Sequence, residues 1–228
     1  MGRSIDRRPP AGMVDAWTFN HGDTRGVGSV GGSGTLRNGA SISGTDLRLD
    51  GTNDFMDVPH DDAYSFTDGD DLPFSICGWI YMDTHSTNDI LMCKWQNSPR
   101  KGEWIIGYSH SLTRLFFWTY NSTATRGYGA NVSTTLNTGE WYHLAGCYDG
   151  SRNWTGYKVY LNGVSQTTAL GGYGAVSPTM SNTGIPVNIG ALDDLAGYSV
   201  DGDLSTIELY NRQLTATEVA IIYQQGRR

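Results

Sequence analysis

The stretch GEWYHLAGCYDG, residues 139–150, decides how the rest of the chain is interpreted. Glu140, His143 and Asp149 lie close together in it, as an acid, a base and an orienting partner would. The same stretch also fits a β-strand that ends in an Asp-Gly turn. Along a strand each residue rises about 3.3 Å, which would place Glu140 and Asp149 about 30 Å apart. Carboxylates so far apart cannot act on one bond, so we predict a structural strand in which His143 is packed.

The composition predicts one domain rich in β-structure and turns. A chain of 228 residues is long enough for a single β-sandwich, and its 30 glycines and 11% aromatic residues are typical of short strands joined by turns. The net charge of −7 argues against a nucleic-acid partner, which would need a basic surface. The sequence has no apolar run of about 18 residues, so no membrane insertion is expected.

The cysteines and the first residues bear on where the protein folds. Cys77, Cys93 and Cys147 lie in apolar runs without paired spacing, which predicts buried free thiols and a reducing compartment. The stretch MGRSIDRRPPAGM lacks the apolar segment of a signal peptide, so we expect synthesis in the cytoplasm. Residues 1–12, with Pro9-Pro10, are predicted to be an N-terminal arm or a disordered tail.

Short apolar runs separated by turn residues recur along the rest of the chain. The predicted strands are 14–19, 47–58 (two strands around Asp50-Gly51), 74–82, 89–95, 103–109, 114–120, 141–149, 158–164, 186–192 and 205–211. Residues 20–46 are predicted to be a Gly/Ser-rich loop. Thr215 and Glu218 match a capping box before VAIIYQQ, and Gly226 can end the helix that this box begins. The pattern predicts an all-β domain over residues 13–228 with one short C-terminal helix.

Sequence motifs of catalysis are absent or out of context. GVGSVG at 26–31 matches G-x-G-x-x-G, but more glycine follows it where a dinucleotide site needs a helix. The sequence contains no G-x-S-x-G, P-loop or H-E-x-x-H pattern, and its histidines lack metal-ligand spacing. We therefore expect a protein that is not an enzyme.

The order of strands and turns resembles a known family. The stretches VDAWTFN, LRLDGTNDFMDVP, FSICGWIYM, GEWYHLAGCYDG, YKVYLNGV, VNIGAL and STIELYNRQLTATEV resemble, in order, the laminin-G-like jelly-roll domains of the concanavalin A-like lectin/glucanase superfamily. The resemblance covers residues 13–225. It implies a two-sheet antiparallel jelly-roll sandwich with one short C-terminal helix. It also implies a mainly non-catalytic function, since most members bind glycans or proteins.

The resemblance also directs attention to carboxylates. Glucanase relatives carry an E-x-D-x-(x)-E strand that supplies nucleophile and acid/base. None of the four glutamates of this chain has that pattern: Glu103, Glu140, Glu208 and Glu218. Many relatives bind calcium through an Asp in the strand equivalent to STIELYN, where this chain has Ser205. A structural calcium ion, the one cofactor considered, would use the remaining loop aspartates: Asp50, Asp54, Asp201 and Asp203. The alternative is that these are turn and loop aspartates that bind no metal.

Aromatic rows mark the candidate ligand surface. When the strands are aligned with the family, Leu115, Phe117 and Thr119 point into the core. The residues predicted on non-core faces, as ligand or interface aromatics, are Trp79, Tyr81, Phe116, Trp118 and Tyr120. The alternative is that loops such as 96–102 or 121–138 cover these rings and form a second small core.

Three functions fit these observations. The first is a non-catalytic surface attachment module, for example a virion decoration or fibre component released with the particle. Its partner would be a protein surface, and its N-terminal arm would dock on a neighbouring subunit. The second is a glycan-binding, lectin-like adhesion module. The third, a glycoside hydrolase or lyase, is disfavoured because the carboxylate pattern is missing.

Overall fold

Two antiparallel sheets pack face to face. The structure, a computed structural model, describes residues 10–19, 27–28, 33–173, 179–193, 195 and 197–226. Sheet A contains β1 (Met13–Thr18), β2 (Val27–Gly28), β4 (Ser41–Ser43), β5 (Asp46–Asp50), β7 (Phe74–Thr84), β12 (Trp141–Tyr148), β13 (Tyr157–Leu161), β14 (Val164–Ser165) and β17 (Asp201–Tyr210). Sheet B contains β3 (Thr35–Arg37), β6 (Phe55–Val58), β8 (Asn88–Gln96), β9 (Lys101–Ser109), β10 (Arg114–Tyr120), β11 (Gly127–Ser133), β15 (Ala169–Tyr173) and β16 (Val187–Ile189).

The strand order is that of a jelly-roll sandwich. Sheet A runs β14-β13-β12-β7-β17-β1-β2, with β5 paired to β17 and β4 to β5. Sheet B runs β15-β11-β10-β9-β8-β16-β6-β3. The described residues contain one α-helix, α1 (Ala216–Gln225), and it is too short to span a membrane. The predicted all-β sandwich with a short C-terminal helix is confirmed.

The stretch 139–150 is a strand and a turn, as predicted. Strand β12 lies between β7 and β13, and His143 is opposite Trp79 of β7. Glu140 accepts a hydrogen bond from the Tyr142 hydroxyl at 2.8 Å, whereas Asp149 accepts one from the backbone N–H of Ser151 at 2.8 Å. His143 is fully buried under α1. The three side chains therefore serve separate parts of the framework.

Some strands were missed because their sequences resemble loops. The predicted loop 20–46 contains β2, β3 and β4, and β11 and β15 were not predicted at all. A Cβ at Gly129 of β11 would lie 2.1 Å from the carbonyl oxygen of Phe117, and one at Gly171 of β15 would lie 2.5 Å from Nε1 of Trp118. A side chain is excluded at Gly129 by the backbone of β10 and at Gly171 by the side chain of Trp118.

The main core fills the space between the sheets. Phe74, Ile76 and Ile80 of β7 face Leu115 and Phe117 of β10, as the strand alternation predicts. Phe74 contacts Phe117 edge-on, with 5.5 Å between ring centroids. Side chains on the inner faces are almost completely removed from water, which supplies most of the stabilisation of such a fold.

A fully buried ion pair ties the outer segments to sheet B. Nζ of Lys94 lies 3.0 Å from Oε1 of Glu103 and donates a hydrogen bond to the Ser65 hydroxyl. The backbone N–H and hydroxyl of Thr183 donate to the same Glu103 oxygen at 2.8 and 2.7 Å. Charged groups taken out of water need such partners, so the pair fixes the segments that carry Ser65 and Thr183.

Helix α1 covers the outer face of sheet A. Val219 and Ile222 pack on Cys77 and Cys147, two of the three cysteines, all of which are buried and unpaired as predicted. The predicted capping box at Thr215 and Glu218 begins the helix, and Gly226 ends it.

Residues 11–12 and residues 211–212 meet beside this helix. Gly12 accepts a hydrogen bond from the Asn211 N–H at 2.9 Å, and Ala11 accepts one from Nε of Arg212 at 2.6 Å. Arg212 also pairs with Glu218 of the helix at 2.6 Å. Residues 1–9 of the predicted arm lie outside the described residues, so docking of the arm stays a prediction.

His143 should make the protein less stable in acid. Neither ring nitrogen of His143 has a hydrogen-bond partner among the described residues, and burial lowers its pKa to about 4. The unfolded chain binds the proton near pH 6.5 and the folded chain does not. Stability is therefore full above about pH 6.5 and falls by roughly 3 kcal/mol as the pH drops to about 4.

Urea unfolding of His143→Phe and of wild type across this pH range measures the effect. The variant should lack that part of the pH dependence, whereas His60→Phe, at an exposed histidine, should keep it. Burial raises the pKa of Asp89 to about 7, so protonation of this carboxyl stabilises the folded state as the pH falls, in wild type and variant alike. The quantity to compare is therefore the difference in unfolding free energy between the two proteins at each pH. An unfolding free energy that depends on pH equally in wild type and His143→Phe would show that His143 does not cause the loss of stability in acid.

Candidate functional site

The outer face of sheet B carries a row of large side chains along β10. Arg114, Phe116, Trp118 and Tyr120 alternate with the core residues of the same strand and share one face. Phe116 and Tyr120 are buried, whereas Arg114 and Trp118 are partly exposed. The face assignment predicted for this strand is therefore confirmed.

The row continues across β9 to β8 as a ladder of aromatic and cationic contacts. The ring of Tyr120 lies 4.8 Å from that of Trp95 and 6.3 Å from that of Trp118, both edge-on. The guanidinium of Arg100 lies over Trp95 at 5.1 Å, and that of Arg114 lies over Trp118 at 5.4 Å. We call this set, Arg100-Trp95-Tyr120-Trp118-Arg114, the aromatic ladder. Cations over indole rings are favourable electrostatic contacts that also hold each ring in place.

Loops cover the aromatic ladder only in part. Ala124 packs against it from the β10–β11 connection, and Leu192, Leu195 and Tyr198 do so from the connection between β16 and β17. The predicted alternative of a second small core therefore holds in part, through Ala124, whereas residues 127–133 of the predicted 121–138 loop form β11. A cavity of about 400 Å³ remains above the ladder.

The cavity combines apolar walls with a few polar groups. Asn88, Asn97 and Ser109 contribute amide and hydroxyl groups beside the rings and the two arginines. Among the described residues that line it there is no Asp, Glu, His or Cys. Such a mixture of aromatic walls and few polar groups is typical of sites that bind small organic ligands.

The guanidinium of Arg114 lies in the cavity without a described counter-ion. Its Nε is buried and has no hydrogen-bond partner, and within the described part of the chain no carboxylate pairs with the group. Burial lowers the pKa of Arg114, although an arginine with so high an ordinary pKa keeps its charge. Nε1 of Trp95 is likewise buried without a partner. By contrast, Nε1 of Trp118 donates to Oδ1 of Asn131 at 3.0 Å.

The five predicted aromatics do not form one site. Trp79 and Tyr81 belong to β7 of sheet A, so their outward side chains point to the opposite side of the sandwich from Trp118. Trp79 is buried under α1 and stacks on Tyr223, with 5.4 Å between ring centroids. Tyr81 is partly exposed against Trp141 at 5.5 Å. The two aromatic rows therefore lie on opposite sides of the sandwich, because sheet membership depends on long-range pairing.

The four predicted calcium ligands serve the framework at the β5–β17 edge. Asp54 is buried and accepts hydrogen bonds from the backbone N–H groups of Gly39 at 2.6 Å and Asp50 at 3.2 Å. Asp201 accepts one from the Thr84 hydroxyl at 2.6 Å. No group of three or more potential metal ligands comes together within the described ranges.

The remaining two aspartates of the set have partners as well. Asp203 pairs with Arg48 at 3.2 Å, and Asp50 accepts a hydrogen bond from the Thr52 N–H at 2.9 Å. These contacts fit the alternative of structural aspartates. Calcium binding itself stays a prediction.

Sequence reasoning missed Trp95, Arg100 and Arg114. Arg114 could have been found, because it has the same strand parity as Phe116, Trp118 and Tyr120. Trp95 could not, because the pairing of β8 with β9 shifts between Ile90 and Met92 and changes which residues face outward.

Comparison with known proteins identifies the family. The model of the laminin-G-like family within the concanavalin A-like lectin/glucanases superfamily matches residues 50–220, and the chain belongs to this family. No curated protein sequence matches the chain.

Solved structures share the fold at low sequence identity. A *Trypanosoma rangeli* sialidase in complex with 2,3-difluorosialic acid has a TM-score of 0.68 and 15% identity, over 96% of this chain and 34% of the sialidase. The binding domain of Paraclostridial Mosquitocidal Protein 1 has a TM-score of 0.68 and 14% identity, over 94% of this chain and 52% of that one. The receptor binding domain of botulinum neurotoxin type G has a TM-score of 0.61 and 13% identity, over 94% and 51%. The chain thus spans about a third of the sialidases and half of the toxin domains, and these likenesses show the fold alone.

Replacement of Asp54 should destabilise the fold with or without calcium. In Asp54→Asn one carboxylate oxygen becomes an NH₂ group that faces a backbone N–H, so we expect a loss of roughly 1.5–3 kcal/mol in urea unfolding. Asp68→Asn, at an exposed turn position, should cost almost nothing. Both variants and the wild type are measured in EDTA and in millimolar calcium. A melting temperature that calcium raises in wild type but not in Asp54→Asn would instead place an ion at these aspartates.

Proposed function

We propose that this laminin-G-like domain is a non-catalytic recognition module that binds a carbohydrate in the cavity on the outer face of sheet B. The aromatic ladder carries the proposal, because it leaves Trp118 partly exposed at the floor of a cavity of about 400 Å³. An aromatic side chain that is partly exposed inside a cavity is typical of ligand-binding sites.

The chemistry of the cavity suits a sugar ring. One face of a pyranose presents C–H groups that pack against an aromatic ring, and its edge presents hydroxyl groups. Trp118 provides the ring face, while Asn88, Asn97 and Ser109 can donate to and accept from hydroxyl groups. Because Trp118 is held by Asn131 and Arg114, little order would have to be gained on binding.

The residues of the cavity favour binding over catalysis. Hydrolysis of a glycosidic bond commonly requires two carboxylates beside that bond, and the described lining residues supply none. Sialidases use a tyrosine nucleophile instead, but such a group needs an adjacent base. Tyr120 is packed between Trp95 and Trp118, with no carboxylate among the described lining residues to act as that base.

Attachment to a protein surface is the second candidate function. Leu112 is 56% exposed at the rim of the same cavity, close to the aromatic ladder, and a protein partner could cover both. This was the first hypothesis from the sequence. We propose on the basis of this second candidate that the protein is made in the cytoplasm and decorates a virion. Co-purification with particles tests the decoration of a virion.

Truncation of Trp118 tests the proposed function. Trp118→Ala should lower the affinity for bound glycans by at least about tenfold, or 1.4 kcal/mol, because the ring contact is lost. It should cost less stability than the roughly 3–5 kcal/mol of emptying a fully buried aromatic site, since Trp118 is partly exposed. Binding is measured on a glycan array and then by calorimetry, with thermal unfolding of each variant.

Trp141→Ala is the matched control, because Trp141 is a partly exposed tryptophan on the outer face of the other sheet. It should leave glycan binding unchanged. Equal binding by Trp118→Ala and wild type would remove the sugar site from this face. Loss of particle or protein association without any effect on glycans would favour the second candidate.

A further inference from the structure

We propose that the ligand is an acidic sugar whose carboxylate is bound by Arg114. This inference rests on the proposed function and names the chemical class of its ligand. It follows from a cation that the protein places beside the partly exposed Trp118 without a described anionic partner.

Arg114 differs from Arg37 and Arg212 in its contacts. Arg37 and Arg212 form ion pairs with Asp57 and Glu218 at 2.5 and 2.6 Å. Arg114 instead has a buried Nε without a partner and contacts the ring of Trp118. Partial burial of a guanidinium without a counter-ion raises the free energy of the folded protein. An anion that enters the cavity would offset this desolvation penalty through charge-assisted hydrogen bonds.

The surroundings reinforce the preference for an anion. The lining residues that the structure describes include Arg100 as a second cation and contain no carboxylate, in a chain whose net charge is −7. Asp193 lies at an adjoining opening and accepts a hydrogen bond from the Asn97 N–H at 3.0 Å. The charged groups among the described lining residues are thus both cations, on a protein with an excess of acidic residues.

The geometry fits a carboxylate that is attached to the sugar ring. The guanidinium carbon of Arg114 lies 5.4 Å from the centroid of the Trp118 ring, so one ligand residue can contact both. An acidic pyranose carries its carboxylate directly on the ring, next to the C–H face that packs on an aromatic side chain. The planar N–H fork of arginine matches the two oxygens of a carboxylate.

Matched pairs of probes test the charge separately from the sugar. Trigalacturonic acid and 3′-sialyllactose are each compared with their methyl esters, which keep the shape and remove the charge. We expect wild type to bind at least one acid about tenfold or more tightly than its ester, the ratio for a hydrogen bond to a charged group. The preference should shrink as salt is raised, because the interaction is electrostatic.

Variants then assign the preference to Arg114. Arg114→Gln should bind acid and ester alike, and Arg114→Lys should keep part of the preference because it keeps the charge without the planar fork. Arg126→Gln, which removes an equal charge from an exposed position outside the cavity lining, should behave as wild type. If Arg114→Gln fails to fold, the comparison of wild type with Arg114→Lys still decides the role of the fork.

The outcomes separate the inference from the function on which it rests. Sugars that bind in a Trp118-dependent way, with acid and ester equal, would overturn the acidic ligand and leave the carbohydrate site. If a sulfated sugar binds tightly and no carboxylated sugar does, the proposal that Arg114 binds a carboxylate is wrong. Binding of no sugar in any form would overturn both.

Discussion

Apolar side chains on both faces of the central strands are the constraint on which the structure depends. Strand β7 presents Ile76 and Ile80 to the main core and Cys77 and Trp79 to the other side, and β10 does the same with its own two rows. A sandwich buries only the inner faces. Each outer face of this molecule therefore needs a covering layer of its own.

The outer faces of sheets A and B are covered differently, and this difference leaves the cavity above the aromatic ladder. Helix α1 closes the face of sheet A so tightly that Trp79, Cys147 and His143 are all buried beneath or beside it. On sheet B the cover consists of two loop segments, which bury Phe116 but leave Trp118 partly exposed. A helix buries a continuous stripe, whereas loops contribute isolated side chains, so the second cover leaves a cavity.

Local patterns in the sequence predicted much of the fold. Strict alternation assigned Phe117 and Trp118 to opposite faces correctly, and the capping box located the start of α1, because both effects involve residues close in the chain. The glycine-rich strands β11 and β15 were not predicted, since their small residues reflect the close approach of β10 and not their own strand propensity. The family resemblance supplied the pairing that local patterns could not.

The candidate site was predicted less well because it depends on non-local geometry. Trp79 and Trp118 look equivalent in the sequence, yet β7 and β10 pair into different sheets. The register shift in β8 turned Lys94 inward and Trp95 outward, against simple alternation through the strand. The covering residues Leu192 and Tyr198 come from a connection that no periodic pattern identifies.

Two cations of sheet B show how the protein treats charge inside and outside its core. Lys94 is fully buried, and the fold surrounds it with Glu103 and hydroxyl groups, because a charge without partners there would cost several kcal/mol. Arg114 is only partly buried and receives a tryptophan ring in place of a carboxylate. Since the chain has an excess of acidic residues from which such a partner could come, the missing partner at Arg114 is better explained by a ligand than by a shortage of anions. The interior pair stabilises the framework, whereas the cation at the cavity is the group to which the proposed acidic ligand would bind.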